Sequence, residues 1–162
     1  MSGIDEDFTP KEIFDIAERT KLGDQQAAIE SFEQLGKVAG FTIAESLNIV
    51  DGIVVLGGGI ARAHKYIVPA MVNEMNGTRH MITGESFSRL QMKVFNLMDE
   101  VEKSAFLKDE SILLQIPGTN KKVKYNAGKK TGVIVSNLGT SRAVVLGAYA
   151  YALKILNNKA HK

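Results

Sequence analysis

The chain has 162 residues, 44% hydrophobic and 23% charged, ordinary values for one globular domain with a proper core. A net charge of +2 without a long run of like charge gives no footprint for nucleic acid, and the absence of cysteine excludes disulfides and thiolate-held metals within these residues. No apolar run approaches the ~20 residues of a membrane span, and the acidic opening MSGIDEDFTPKE does not read as a signal peptide, so a cytoplasmic protein is expected.

Thr9-Pro10-Lys11-Glu12 reads as a helix start, with Thr9 as cap, Pro10 at the first helical position and Glu12 closing a capping box. Ile13, Phe14, Ile16 and Ala17 give that short helix an apolar face. Leu22-Gly23-Asp24 ends it, and Asp24 is a good cap for a second, longer helix. There Ala28, Phe32, Leu35, Ala39, Ile43 and Leu47 form a stripe on the 3.6-residue period. Gly36 and Gly40 lie one turn apart beside the stripe. Each costs about 1 kcal/mol relative to alanine inside a helix, so close approach of another backbone is the expected compensation.

Ile53 to Leu56 predicts a short buried strand, followed by Gly57, Gly58 and Gly59 and then a helix from about Ala61 to Asn76, interrupted or bent at Pro69. Further on, Leu90 to Leu97 predicts a strand and Asp99 to Leu107 a short helix. Ile112 to Ile116 and Val123 to Tyr125 predict a hairpin across Pro117-Gly118-Thr119-Asn120. Val133 to Ser136 predicts another strand, and from Ser141 the chain reads as a final alanine-rich helix with Gly147 inside it. Helices alternating with short strands place the chain in the α/β class.

Three consecutive glycines are a local entropic cost unless the backbone needs dihedrals or contacts that side chains forbid. Strand, glycine turn and helix together present backbone N–H groups and a helix N-terminus to an anion or nucleotide. A dinucleotide fingerprint fits poorly, because Arg62 stands at its third glycine position and no strand with a terminal acid follows about 20 residues on. A Walker A loop fails because the Gly-Lys-Ser/Thr ending is missing. A ligand-free tight turn and a bare platform for a nucleoside both remain open. Arg62 and Lys65 follow the turn and are candidates for phosphate contact or for plain solvent-exposed helix positions. His64, His80 and His161 are scattered without metal-ligand spacing, and His64 lacks an identifiable partner for acid–base work. Lys121, Lys122, Lys124, Lys129 and Lys130 cluster on the expected hairpin, where a solvated surface explains them better than nucleic acid, since one aromatic alone is available to stack.

Several stretches, in order, resemble the C-terminal half of the ROK family of sugar kinases, within the actin/hexokinase/Hsp70 superfamily. They are Phe8-Thr9-Pro10-Lys11-Glu12-Ile13-Phe14, Gly23-Asp24 leading into Ala27-Ala28, Gly36 with Gly40, Ile53 through Ile60, and Leu146-Gly147-Ala148-Tyr149-Ala150. The resemblance covers roughly residues 8–76 and 133–156; about 77–131 departs from the family pattern as an insertion. It implies the second lobe of a ribonuclease H-like ATPase fold, with helices packed on a small mixed sheet. It also implies that Gly57, Gly58, Gly59, Ile60 and Ala61 border the adenosine of ATP, that Mg accompanies the nucleotide, and that a hexose, glucose by preference, is the phosphoryl acceptor. Gly36, Gly40 and Gly147 are then helix-packing positions.

The family's Asp-x-Gly-x-Thr phosphate loop, catalytic aspartate and sugar-binding cluster have no counterpart in these residues. The resemblance therefore implies a first kinase lobe as partner, a possible homodimer, and no turnover from this chain by itself. Two rivals stand: the sugar-sensing domain of a ROK-type transcriptional repressor, and a non-catalytic interaction domain that keeps the fold.

Overall fold

The computed structural model describes residues 8–160; the acidic opening before Phe8 and His161 lie outside the described residues. In chain order come α1 (Pro10–Ala17), α2 (Gln25–Leu47), β1 (Val54–Leu56), a 3₁₀ turn (Gly59–Ala63), α3 (His64–Met75), β2 (Thr78–His80), β3 (Ser86–Ser88), β4 (Lys93–Asn96), α4 (Glu100–Leu107), β5 (Ile112–Gln115), β6 (Lys122–Tyr125), β7 (Lys130–Val135) and α5 (Thr140–Ala160).

The caps form as the sequence dictates. Glu12 N donates to Thr9 Oγ1 at 3.3 Å while Thr9 N donates to the Glu12 carboxylate at 2.9 Å, a complete capping box at α1. Asp24 accepts from Ala27 N at 3.0 Å and starts α2. The helix expected from Ala61 begins instead as 3₁₀ at Gly59 and becomes α-helical only at His64, and it continues through Pro69.

The core lies between α2 and α3. The buried line of α2 is Ala28, Phe32, Gly36, Gly40, Ala44 and Leu47, so the predicted stripe is corrected: Leu35 is exposed, and Ala39 and Ile43 are half-buried. The glycines displaced it. A Cβ on Gly36 would stand 2.4 Å from the Ile67 carbonyl oxygen, and one on Gly40 2.6 Å from that of Met71. The two helices touch backbone to backbone there, and the larger apolar side chains flank the contact. Val68, Met71 and Met75 fill the α3 side, all fully buried.

The central sheet has three strands in the order β1-β7-β4, all parallel. That corrects the expected mixed sheet: the antiparallel strands pair only with each other, as the separate hairpins β2–β3 and β5–β6. One free edge of the sheet is closed by a side chain. The Asn76 amide donates to Val94 O at 2.8 Å and accepts from Val94 N at 2.9 Å, occupying on β4 the groups another strand would use. The buried Thr131 hydroxyl donates to Gly52 O at 2.5 Å, fixing β7 to the lead-in of β1. The strand expected over Leu90–Leu97 shortens to Lys93–Asn96, and the β2–β3 hairpin was not anticipated by the pattern.

Helix α5 forms, yet among the described residues nothing packs on its glycine. Nothing lies within 4 Å of a Cβ built on Gly147, and every side chain from Arg142 to Asn158 is exposed. Val144, Val145, Leu146, Tyr149 and Tyr151 fall around the helix rather than on one stripe, so no single face is suited to lie on this chain's own sheet.

Candidate functional site

Ligands of open parallel sheets sit outside the carboxyl ends of the strands. Here β1 runs into Gly57–Gly59 and its neighbour β7 into Ser136–Gly139, and Ser136 N donates to Leu56 O at 2.8 Å, tying the two exits together. Gly58 has φ +89°, in the region that favours glycine, which accounts for one glycine of the three. Gly57 and Gly59 have ordinary φ, and a Cβ on any of the three would meet no heavy atom within 4 Å. The turn is exposed and the space above it is open.

Beside the turn lies a cleft of about 540 Å³ between α1 and the start of α3. Pro10, Lys11, Phe14 and Asp15 of α1 form one wall; Gly59, Ile60, Arg62 and Ala63 form the other; Phe32 of α2 is at the bottom. The rings of Phe14 and Phe32 meet edge to face at 6.4 Å and 75°. Among the described residues the side chains of Lys11, Asp15 and Arg62 make no ion pair, so two cationic groups and one carboxylate remain available at an otherwise apolar cleft. An apolar slot with a few polar groups converging on it is the usual form of a small-molecule site.

Of the residues singled out in the sequence, Gly59, Ile60 and Arg62 line the cleft; Gly57 and Gly58 form the turn that leads to it, and Ala61 is half-buried in the 3₁₀ segment. Lys65 is elsewhere. Its Nζ lies 2.8 Å from a Glu18 carboxylate oxygen at the end of α1. That contact holds the Glu18 carboxyl below its ordinary range and raises the Lys65 ammonium above its own. His64 Nδ1 lies 3.0 Å from Ala61 O, a local contact at the helix start.

Phe14 and Phe32 were legible only as core positions, and Lys11 and Asp15 carried no signal of their own. Their share in the cleft comes from α1 crossing near a turn some 45 residues later in the chain. In the lysine cluster, Lys124 pairs with Asp109 and all of β5 and β6 is exposed, as a solvated hairpin requires, whereas Lys130 belongs to β7 of the central sheet, where its side chain is largely covered and pairs with Glu110. Among the described residues no group of three or more His, Asp or Glu side chains is gathered to hold a metal ion, and no helix is long and apolar enough to cross a membrane.

No family model matches the chain, and no curated protein matches it. Among solved structures it is similar to a glucokinase from Parabacteroides distasonis, with 40% sequence identity and a TM-score of 0.80. The match covers 94% of this chain and 41% of the glucokinase, so the chain spans about two-fifths of that protein's length. It is a partial glucokinase-like domain.

Proposed function

We propose that this chain is the C-terminal, adenosine-binding half of a ROK-type sugar kinase, in which the glycine turn and the adjoining cleft receive the nucleoside of ATP. What supports it most is one coincidence. The turn that no Cβ contact explains, Gly57–Gly59, opens onto an apolar, aromatic-walled cleft in a chain 40% identical to part of a glucokinase.

The residues present fit a nucleoside. A base slides between the Pro10–Phe14 wall and the Gly59–Ile60 wall, over Phe32, with bare main chain where a side chain would block it. Asp15 at the cleft is placed to accept from an exocyclic amine or ribose hydroxyl, and Arg62 and Lys11 to meet phosphate oxygens. Bound ATP would supply the phosphoryl group for transfer to a hexose hydroxyl, with Mg carried chiefly on the phosphates. This chain's own part is to bind and orient the nucleotide and to keep water from the base. The catalytic base and sugar ligands belong to a first lobe, the proposed partner, and the chain is expected to be inactive without it.

The test is calorimetric titration of ATP-Mg into the chain and into a Gly59→Val variant. Gly59 is the better position than Gly58, where φ +89° would strain valine with or without a ligand. Binding in the parent that valine weakens at least about tenfold supports the site, a loss of roughly 1.4 kcal/mol. Equal binding in both chains moves the nucleotide off the turn. No binding, even with the remaining portion of a glucokinase supplied in trans, removes the nucleotide reading.

A further inference from the structure

Both walls of the cleft end in one knot of side chains. Helix α1 carries the first wall on its N-terminal half, and its C-terminal residue Ala17 and cap Glu18 are tied to α2 and α3. Gln25 of α2 donates to Ala17 O at 2.9 Å, and its own Oε1 accepts from Arg19 Nε at 2.7 Å, with Arg19 in the left-handed region at φ +61°. From α3, Lys65 Nζ reaches the two Glu18 carboxylate oxygens at 2.8 and 2.9 Å. The Tyr66 hydroxyl shares its proton between Glu18 Oε1 at 3.2 Å and Ala17 O at 3.3 Å. The Tyr66 ring stacks on Phe32, 6.2 Å between centroids and 13° between planes, and Phe32 in turn supports Phe14. The circuit closes: wall, floor, α3, and back to the far end of the same wall.

Helix α1 is eight residues long and rests on the core through Ile13, Phe14, Ile16 and Ala17, so the way its C-terminal end is held sets how it lies along that core. Its other end, at Pro10 and Lys11, faces Gly59 and Arg62 across the cleft. We propose that Glu18 and Lys65 are positioning residues, a clasp between α1 and α3 that sets the width of the cleft and thereby, given the nucleoside reading above, its affinity for the nucleotide. Lys65 then acts through Glu18 and not on phosphate. The clasp is partly solvent-exposed, with Lys65 52% and Glu18 27% accessible, so it contributes little to global stability. Its effect is on placement, where small displacements of a binding wall are felt strongly.

The chain has no cysteine, so Lys11→Cys and Asn73→Cys give a spin-label pair that reports the distance from α1 to the far half of α3 without other labels. Lys65→Met should lengthen and broaden the interspin distance. Lys65→Arg should leave it as it is, and the exchanged pair Glu18→Lys with Lys65→Glu should restore it. In the unlabelled proteins ATP affinity should follow the same order, with about a fivefold loss for Lys65→Met, the scale set by one surface ion pair. An unchanged distance in Lys65→Met overturns the clasp whether or not nucleotide binds. A loss of affinity that the exchanged pair fails to restore overturns it too, because Lys65 would then be touching the ligand. A changed distance with unchanged affinity, in a chain that binds ATP, overturns the link to binding. Absence of ATP binding in every variant, with the remaining portion of a glucokinase supplied, overturns the nucleoside reading and the affinity part with it, while the distances still decide the clasp.

Discussion

Two helices of nearly equal length meet opposite fates. Helix α2, 23 residues, buries a full line of small and apolar side chains against α3; α5, 21 residues, leaves Arg142 through Asn158 exposed. Each has glycine in its interior, and in each the glycine reads from sequence as a packing position. In α2 a Cβ would collide with the carbonyl oxygens of Ile67 and Met71; in α5 a Cβ on Gly147 would meet nothing. A glycine inside a helix thus announces a close approach without saying where the approaching surface is. For α2 it is the next helix of the same chain. For α5, with Val144, Leu146, Tyr149 and Leu153 more than half exposed, no described residue supplies it.

The comparison can be broken by substitution. The largest effect is expected at Gly36, where alanine gains about 1 kcal/mol of helix propensity. It must also force α2 from α3, because the obstructing atom is backbone and 2.4 Å away. Overpacking of this kind costs about 1–3 kcal/mol. Gly36→Ala should therefore lower the stability measured by denaturant unfolding by up to about 2 kcal/mol. An unchanged or higher midpoint would mean that the contact relaxes freely and the glycines are not its cause.

Gly147→Ala should do the reverse, raising stability or α5 helicity by as much as about 1 kcal/mol, since propensity is gained with no clash to offset it. A loss of stability there would show that Gly147 has a packing partner after all, for instance in a second copy.

The smallest effect is acid-linked and confined to the α1–α2 body. Hydrogen bonding to Lys21 and Thr9 lowers the Glu12 pKa from 4.5 to about 2. A carboxylate depressed in the folded state contributes above its unfolded pKa and loses that contribution as pH falls through the folded one. Between pH 4.5 and about 2 the parent should lose stability more steeply than Glu12→Gln, followed by thermal melting across that range. Parallel curves would remove the capping box as a titrating element.

The starts of the first two helices were legible in the sequence. Thr9, Pro10 and Glu12 specify the start of α1 and Asp24 that of α2, because caps act over three or four residues and need no partner elsewhere. The glycine turn after β1 was legible for the same reason, and Gly58 at φ +89° is the local requirement that explains it in part. What the turn faces was not legible. Phe14, Phe32 and Asp15 join Gly59 only through the packing of α1 and α2 on α3.

Side-chain period alone also misplaced the α2 stripe at Leu35, since the pattern counts apolar groups while the true contact is made by their absence at Gly36 and Gly40. Lys65 reads from sequence as a candidate for phosphate contact or as a plain exposed helix position, and only the tertiary structure shows its ammonium pairing with Glu18, 47 residues earlier. The sequence by itself determined the caps, the turn, the α/β class and the kinship to part of a sugar kinase. Tertiary structure alone decided the parallel sheet, the walls of the cleft and the partner of each charge. Residues far apart along the chain become neighbours once α2 and α3 have packed, as Glu18 and Lys65 do.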